Sequence, residues 1–137
     1  MSLLENKATE YYLADYNCAE ALLRAINDVY GLDLPEESLK LVSGFGGGMG
    51  CQKACGALCS GIAALGPLKV RGRAHITDGF GPLCAAWVDA FIRELGSDQC
   101  SDLKPLYKRE GSGCLRTVQM GAVAFERFLA GEGVNRA

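Results

Sequence analysis

Apolar residues recur at three- and four-residue intervals along most of this chain, and no segment sustains alternation of apolar and polar positions. That rhythm belongs to helices with one buried face, not to strands. Ser2 to Tyr12 has helical composition and ends near Asp15-Tyr16-Asn17. Asn17 is placed to cap a second helix, Cys18 to Tyr30, which Gly31 stops; Cys18, Leu22, Ala25, Ile26 and Val29 share its apolar face. Pro35 at a first helical position and Glu36-Glu37 behind it open a shorter segment carrying Leu39, Val42 and Phe45. Pro82 to Leu95 turns Cys84, Trp87, Val88, Phe91 and Leu95 inward before Gly96. Ser97-Asp98-Gln99-Cys100 reads as a cap and a short helix through Leu103 and Leu106, limited by Pro105. Ser112 caps a last helix, Gly113 to Leu129, with Cys114, Val118, Ala122, Phe125 and Leu129 on one face. The pattern predicts an all-α fold, a bundle of about five to six helices in one domain spanning 1–137, with a glycine-rich turn before the central helix.

That turn is where the rhythm breaks. Gly44, Gly46, Gly47, Gly48 and Gly50 lead into Cys51-Gln-Lys-Ala-Cys55-Gly-Ala-Leu-Cys59, a small apolar run read as a helix from Cys51 to Leu65 and stopped by Gly66-Pro67. At about 100° per residue, cysteines four apart form one stripe, roughly 6 Å between neighbours along the axis. Glycines admit positive φ and let amides converge, so Gly46, Gly47, Gly48 and Gly50 are the candidate backbone for seating an anion, a cofactor group or another chain segment. A thiol at the start of the following helix is expected to feel the positive dipole end, which lowers its pKa. Lys69 to Gly81, with the single histidine His75 and the basic Arg71 and Arg73, reads as a surface connection.

Composition narrows the chemistry. The chain has 137 residues, 49% of them apolar, enough for a real core, and a net charge of −2 with acids and bases scattered. No basic footprint points to nucleic acid, and no apolar run is long enough to span a bilayer. Met1 to Lys7 lacks the basic and apolar regions of a secretory signal, which predicts a soluble, cytoplasmic protein in a reducing compartment. Seven cysteines is a high and odd count that argues for redox work or metal binding over a disulfide framework. Cys18, Cys51, Cys84, Cys100 and Cys114 all fall near the first turn of an expected helix. Against this stands the plain alternative that cysteine is a small buried hydrophobe.

Spacing excludes several sites. There is no Cys-x-x-Cys for a thioredoxin-like pair, no Cys-x-x-Cys-His for haem, and neither zinc-knuckle nor ferredoxin runs. The glycine run lacks the Lys-Ser/Thr ending of a phosphate loop. A disulfide between neighbours of one helix would be strained, whereas a pairing between helices, such as Cys55 with Cys18 or Cys114, is easier.

Tyr16-Asn17-Cys18-Ala19-Glu20-Ala21, Ser43 to Gly50, Cys55-Gly56-Ala57, Cys100 and Cys114 together resemble the C_GCAxxG_C_C family, small helical proteins grouped as redox-active by their cysteines. The likeness runs from about Tyr11 to Ala124. Its Gly-Cys-Ala element appears here as Ala54-Cys55-Gly56-Ala57, with a second register at Gly50-Cys51; the small-residue run favours Cys55. The resemblance implies Cys55 as the central thiol with Cys18, Cys100 and Cys114 as partners. Cys51, Cys59 and Cys84 are additional to the pattern. Two chemistries stay open, a dithiol/disulfide couple and ligation of an iron–sulfur cluster or zinc, the ligands then drawn from Cys18, Cys51, Cys55, Cys59, Cys100 and Cys114. A further likeness of that family to part of the split-Soret cytochromes c implies an electron-transfer partner. The alanine- and glycine-lined helix faces predict close packing and a homodimer. The other classes held open are a non-catalytic module that binds a small ligand at the glycine loop and a structural zinc protein.

Overall fold

The computed structural model describes all residues, Met1–Ala137, and is helical with no strands. Seven α-helices follow in order: α1 Leu3–Leu13, α2 Cys18–Tyr30, α3 Glu36–Leu39, α4 Gly56–Lys69, α5 Phe80–Leu95, α6 Cys100–Tyr107 and α7 Leu115–Gly131. One core of 26 buried residues runs through them. No helix is long and apolar enough to cross a membrane.

The second helix forms as its sequence dictates. The Asn17 side chain accepts the Glu20 N–H, the Glu20 carboxylate accepts the Asn17 N–H, and Gly31 closes the helix in the left-handed conformation. Asn17 has a second duty, because its amide donates to the Ser43 carbonyl at 3.0 Å while Ser43 donates to Glu20. The capping box therefore also anchors the segment that enters the glycine turn. Trp87, wholly buried, donates to the Leu58 carbonyl at 3.0 Å and meets Phe125 edge-on at 4.9 Å. Its indole lies against Gly61, where any Cβ would collide with it. This close seat sets α4 against α5 and α7.

Several boundaries differ from the sequence reading. The central helix does not begin at Cys51. Gly47, Gly48, Met49 and Gly50 all have positive φ, so the chain makes a left-handed turn that no right-handed helix can continue. It then runs to Cys55, whose residue caps α4 in an extended conformation. The stripe of Cys51, Cys55 and Cys59 on one helix face is therefore absent. Pro67 does not stop α4, which runs on to Lys69, since a proline in the last turn removes only one of the bonds there. Pro35 caps α3 instead of occupying its first position. At the last helix the cap is Cys114, not Ser112, because paired bonds between Arg109 and Gly113 hold the preceding turn. The connection holding His75 is exposed, as expected of it, and contains a short 3-10 turn over Ala74–Ile76.

Replacing Asn17 by alanine removes the cap and the tie to Ser43 together. Urea unfolding of Asn17→Ala is expected to show a loss of about 1–2 kcal/mol. A loss within a few tenths would contradict the double role.

Candidate functional site

Four cysteines from four helix starts line one enclosed chamber of about 20 Å³: Cys18, Cys55, Cys100 and Cys114, with Gly47, Gly56 and Thr117 between them. Cys18 is the first residue of α2 and Cys100 the first of α6, while Cys55 and Cys114 cap α4 and α7. The broader sequence regularity contracts to these four. Cys51 is exposed in the glycine turn with its thiol directed to the Gly48 carbonyl, and Cys84 lies in the second turn of α5. Cys59 is half-buried on α4 and outside the chamber lining.

Bonds from backbone N–H groups fix three of the four. The Cys55 N–H donates to the Asp98 carbonyl at 2.8 Å and the Cys100 N–H to the Lys53 carbonyl at 2.7 Å, a two-bond bridge that sets the starts of α4 and α6 side by side. Gly48 lies under this bridge. A Cβ there would stand 2.6 Å from the Cys100 Cβ and 2.7 Å from Lys53 backbone atoms, besides the strain of φ +62°. Gly56 faces the Cys18 sulfur, which is 2.6 Å from where its Cβ would be. Cys114 is held through its N–H, which donates to the Tyr12 hydroxyl at 2.8 Å.

The glycine run thus has separable parts. Gly46 packs on the Asn17 side chain, Gly47 offers its N–H to the Cys18 thiol, Gly48 admits Cys100, and Gly50 faces open space.

Burial decides the acidity of Cys18, Cys55 and Cys100. It pushes Cys55 up to about 12, with the Cys18 charge adding to the rise, even though the Ala57 and Leu58 amides at the helix start pull the other way. Cys18 is raised for the same first reason, against donors from Gly47 and Ala19, and the charges of Cys114 and Cys100 add to it. Cys100 is raised by burial and lowered by Lys104, the larger of the charge effects, and by Lys108. The lowering expected from the amides at helix starts acts on Cys55 and Cys18 and is outweighed by lost hydration.

A cleft of about 440 Å³ opens to solvent beside the chamber and shares Cys18, Gly47, Lys104 and Cys114 with it. Tyr12, Asp15, Tyr16 and Lys108 complete the part of its wall that matters here. Cys55 and Cys100 do not reach it and are 4% and 7% exposed. The larger cleft, about 770 Å³ between Leu3, Tyr30 and Val134 to Ala137, contains no cysteine and has no part in this chemistry.

The metal and cluster expectations can be tested against the donor set. No three histidine, cysteine, aspartate or glutamate side chains converge closely enough to hold a metal ion. The chamber has room for about one water molecule, too little for an iron–sulfur cluster. As the side chains stand, the residues do not fit either group.

Tyr12, Lys104 and Lys108 were missed in the sequence. Lys104 had a signal, lying four residues after Cys100 on the same helix face; Lys108 follows the end of that helix in extended backbone. Tyr12 had none, because its approach to Cys114 joins positions 102 apart in sequence.

An all-helical chain with four thiols from four helix starts around one chamber is a cysteine-site protein in its construction. The chain belongs to the family described as "Putative redox-active protein (C_GCAxxG_C_C)", whose model matches residues 16–127. No curated protein and no solved structure matches it.

The raised thiols give a pH dependence with a definite sign. A folded-state pKa above the unfolded one means that the folded chain holds protons the unfolded chain has released. Stability is then complete below about pH 8.5 and falls as pH rises towards 12, the folded value of Cys55. Urea midpoints are expected to drop between pH 8.5 and 11, and to drop less in Cys55→Ala measured against its own neutral-pH value. Equal slopes for the two proteins would contradict the burial of this thiol.

Proposed function

We propose that the protein is a dithiol–disulfide redox protein whose working pair is Cys18 and Cys114, with Cys55 and Cys100 enclosing the chamber behind them. One observation carries the reading: of the four chamber cysteines, only Cys18 and Cys114 also line the open cleft. An exchanging thiol must meet a partner from solution and then a second thiol of its own chain. Cys18 and Cys114 alone line both the open cleft and the shared chamber, which supports assigning them these two steps.

The balanced step needs a partner disulfide. One of the two cysteines attacks as thiolate, forming a mixed disulfide and releasing the first partner thiolate. The other attacks the protein sulfur of that mixed disulfide, closing Cys18–Cys114 and releasing the second partner thiolate. Two electrons pass to the partner, which leaves as two thiols carrying the two protons; a partner dithiol reverses the cycle. Gly47 and Ala19 donate to Cys18 as its charge develops, which offsets part of the cost of burial. Gly56 leaves its sulfur room to approach. Cys55, pushed up to about 12 by burial, suits a protonated wall better than an attacking thiolate. The family's redox description agrees with this class of chemistry.

Anaerobically purified, reduced protein treated with oxidised dithiothreitol and mapped by peptide mass spectrometry is expected to contain the Cys18–Cys114 bond. Cys18→Ser is expected to lack it while keeping the helical spectrum. Oxidation confined to Cys51, Cys59 and Cys84, or four thiols shielded from alkylation until a chelator is added, would replace this reading.

A further inference from the structure

The cleft over Cys18 and Cys114 holds more hydrogen-bond donors than its own acceptors satisfy. Lys104 reaches it from α6 and Lys108 from the residue that caps the end of α6, and neither belongs to any of the ion pairs of the chain, which join Lys7–Glu10, Arg24–Glu36, Lys40–Glu37 and Arg127–Glu94. Lys104 is half-buried. Both lysines share the cleft wall with Cys18 and Cys114, and Lys104 also lines the chamber beside all four cysteines. From α1, the Tyr12 hydroxyl accepts the Cys114 N–H and donates to no protein group, so its proton is uncommitted. Asp15 is the one carboxylate on the wall, exposed at the rim, and leaves the lysines in excess. The volume, about 440 Å³, is that of a small-molecule site.

We propose that this cleft binds a small disulfide carrying carboxylate groups, with Lys104 and Lys108 holding the carboxylates and the sulfurs presented to Cys18 and Cys114. The proposal rests on the reading of these two cysteines as exchanging thiols, and adds the chemical class of the partner. A carboxylate fills the roles that the wall leaves vacant: it accepts from two ammonium groups and from the Tyr12 hydroxyl. A neutral disulfide of the same size leaves those groups unpaired on binding. The same charges favour the transition state of exchange, in which negative charge spreads over the attacking, central and leaving sulfurs. The chemistry is the balanced exchange already given, the leaving thiolate departing from beside the lysines and taking its proton from water.

The experiment compares two reagents on the reduced, full-length protein: the dianionic 5,5′-dithiobis(2-nitrobenzoate) and the neutral 2,2′-dithiodipyridine. Rates are divided by those of 2-mercaptoethanol with each reagent, which removes their intrinsic difference, and peptide mapping assigns the rate to Cys18 or Cys114. At low salt the normalised preference for the dianion is expected to be roughly tenfold, about threefold from each lysine. It should vanish in Lys104→Gln/Lys108→Gln and shrink towards unity in 1 M salt, where screening acts within about 3 Å. The ratio compares two reagents at the same thiols, so a general change in thiol exposure cancels. If the double variant folds poorly, Lys108→Gln alone, at an exposed position, should remove about threefold. Labelling of Cys18 or Cys114 with a preference untouched by the variants and by salt would overturn the carboxylate site and leave the dithiol reading standing. Failure of both reagents to label either cysteine in the folded protein would overturn both.

Discussion

The sulfur of Cys18 lies 2.6 Å from the point where a Cβ on residue 56 would stand, and residue 56 is glycine. The rest of the thiol site follows from that missing side chain and from the similar one at Gly48. Cys55 and Gly56 are consecutive, so bringing the Cys18 sulfur against Gly56 brings it beside Cys55 without a ligand to draw them together. Gly48 does the same for Cys100 under the Lys53–Asp98 bridge. Close approach of backbone to sulfur costs the flexible unfolded chain entropy at each glycine, and here it is offset by large anchors nearby: the Trp87 seat on α4 and the Asn17 box on α2.

Two effects with opposite signs meet at these sulfurs. Helix starts and the left-handed turn direct N–H groups at them, which favours thiolate, while the small enclosed space removes water, which favours thiol. For Cys55 the second wins by a wide margin, its thiol standing at about 12. The result is a graded set. Protonated sulfur sits deep, and the thiols that meet the cleft lie beside two ammonium groups and a phenol. Under the proposed dithiol chemistry, a site ordered this way would direct exchange outward, because the interior thiols are slow to attack at neutral pH.

The helical class was legible because periodicity is a local property: the face of α2 and the aromatic face of α5 can be read without knowing their partners. The caps at Asn17 and Gly31 were legible for the same reason. The turn at Gly47–Gly50 was not. A right-handed continuation and a left-handed turn use the same glycine-rich letters, and what selects between them is the bridge from Lys53 to Cys100, nearly fifty residues on. The cysteine stripe was an artefact of that choice. The four chamber cysteines emerged from helix starts and from family resemblance, but their convergence depends on tertiary bonds such as Tyr12 to Cys114, which no spacing encodes.

The central claim is that cysteines from separate helices act together at one site and not as scattered buried thiols. The most direct measurement equilibrates the protein in a series of oxidised and reduced dithiothreitol ratios and counts free thiols after quenching in acid. The account predicts one transition in which two of the seven thiols disappear together with a two-electron slope, and its absence in Cys114→Ser. Seven thiols persisting across the whole range, or a gradual loss with no common midpoint, would contradict it.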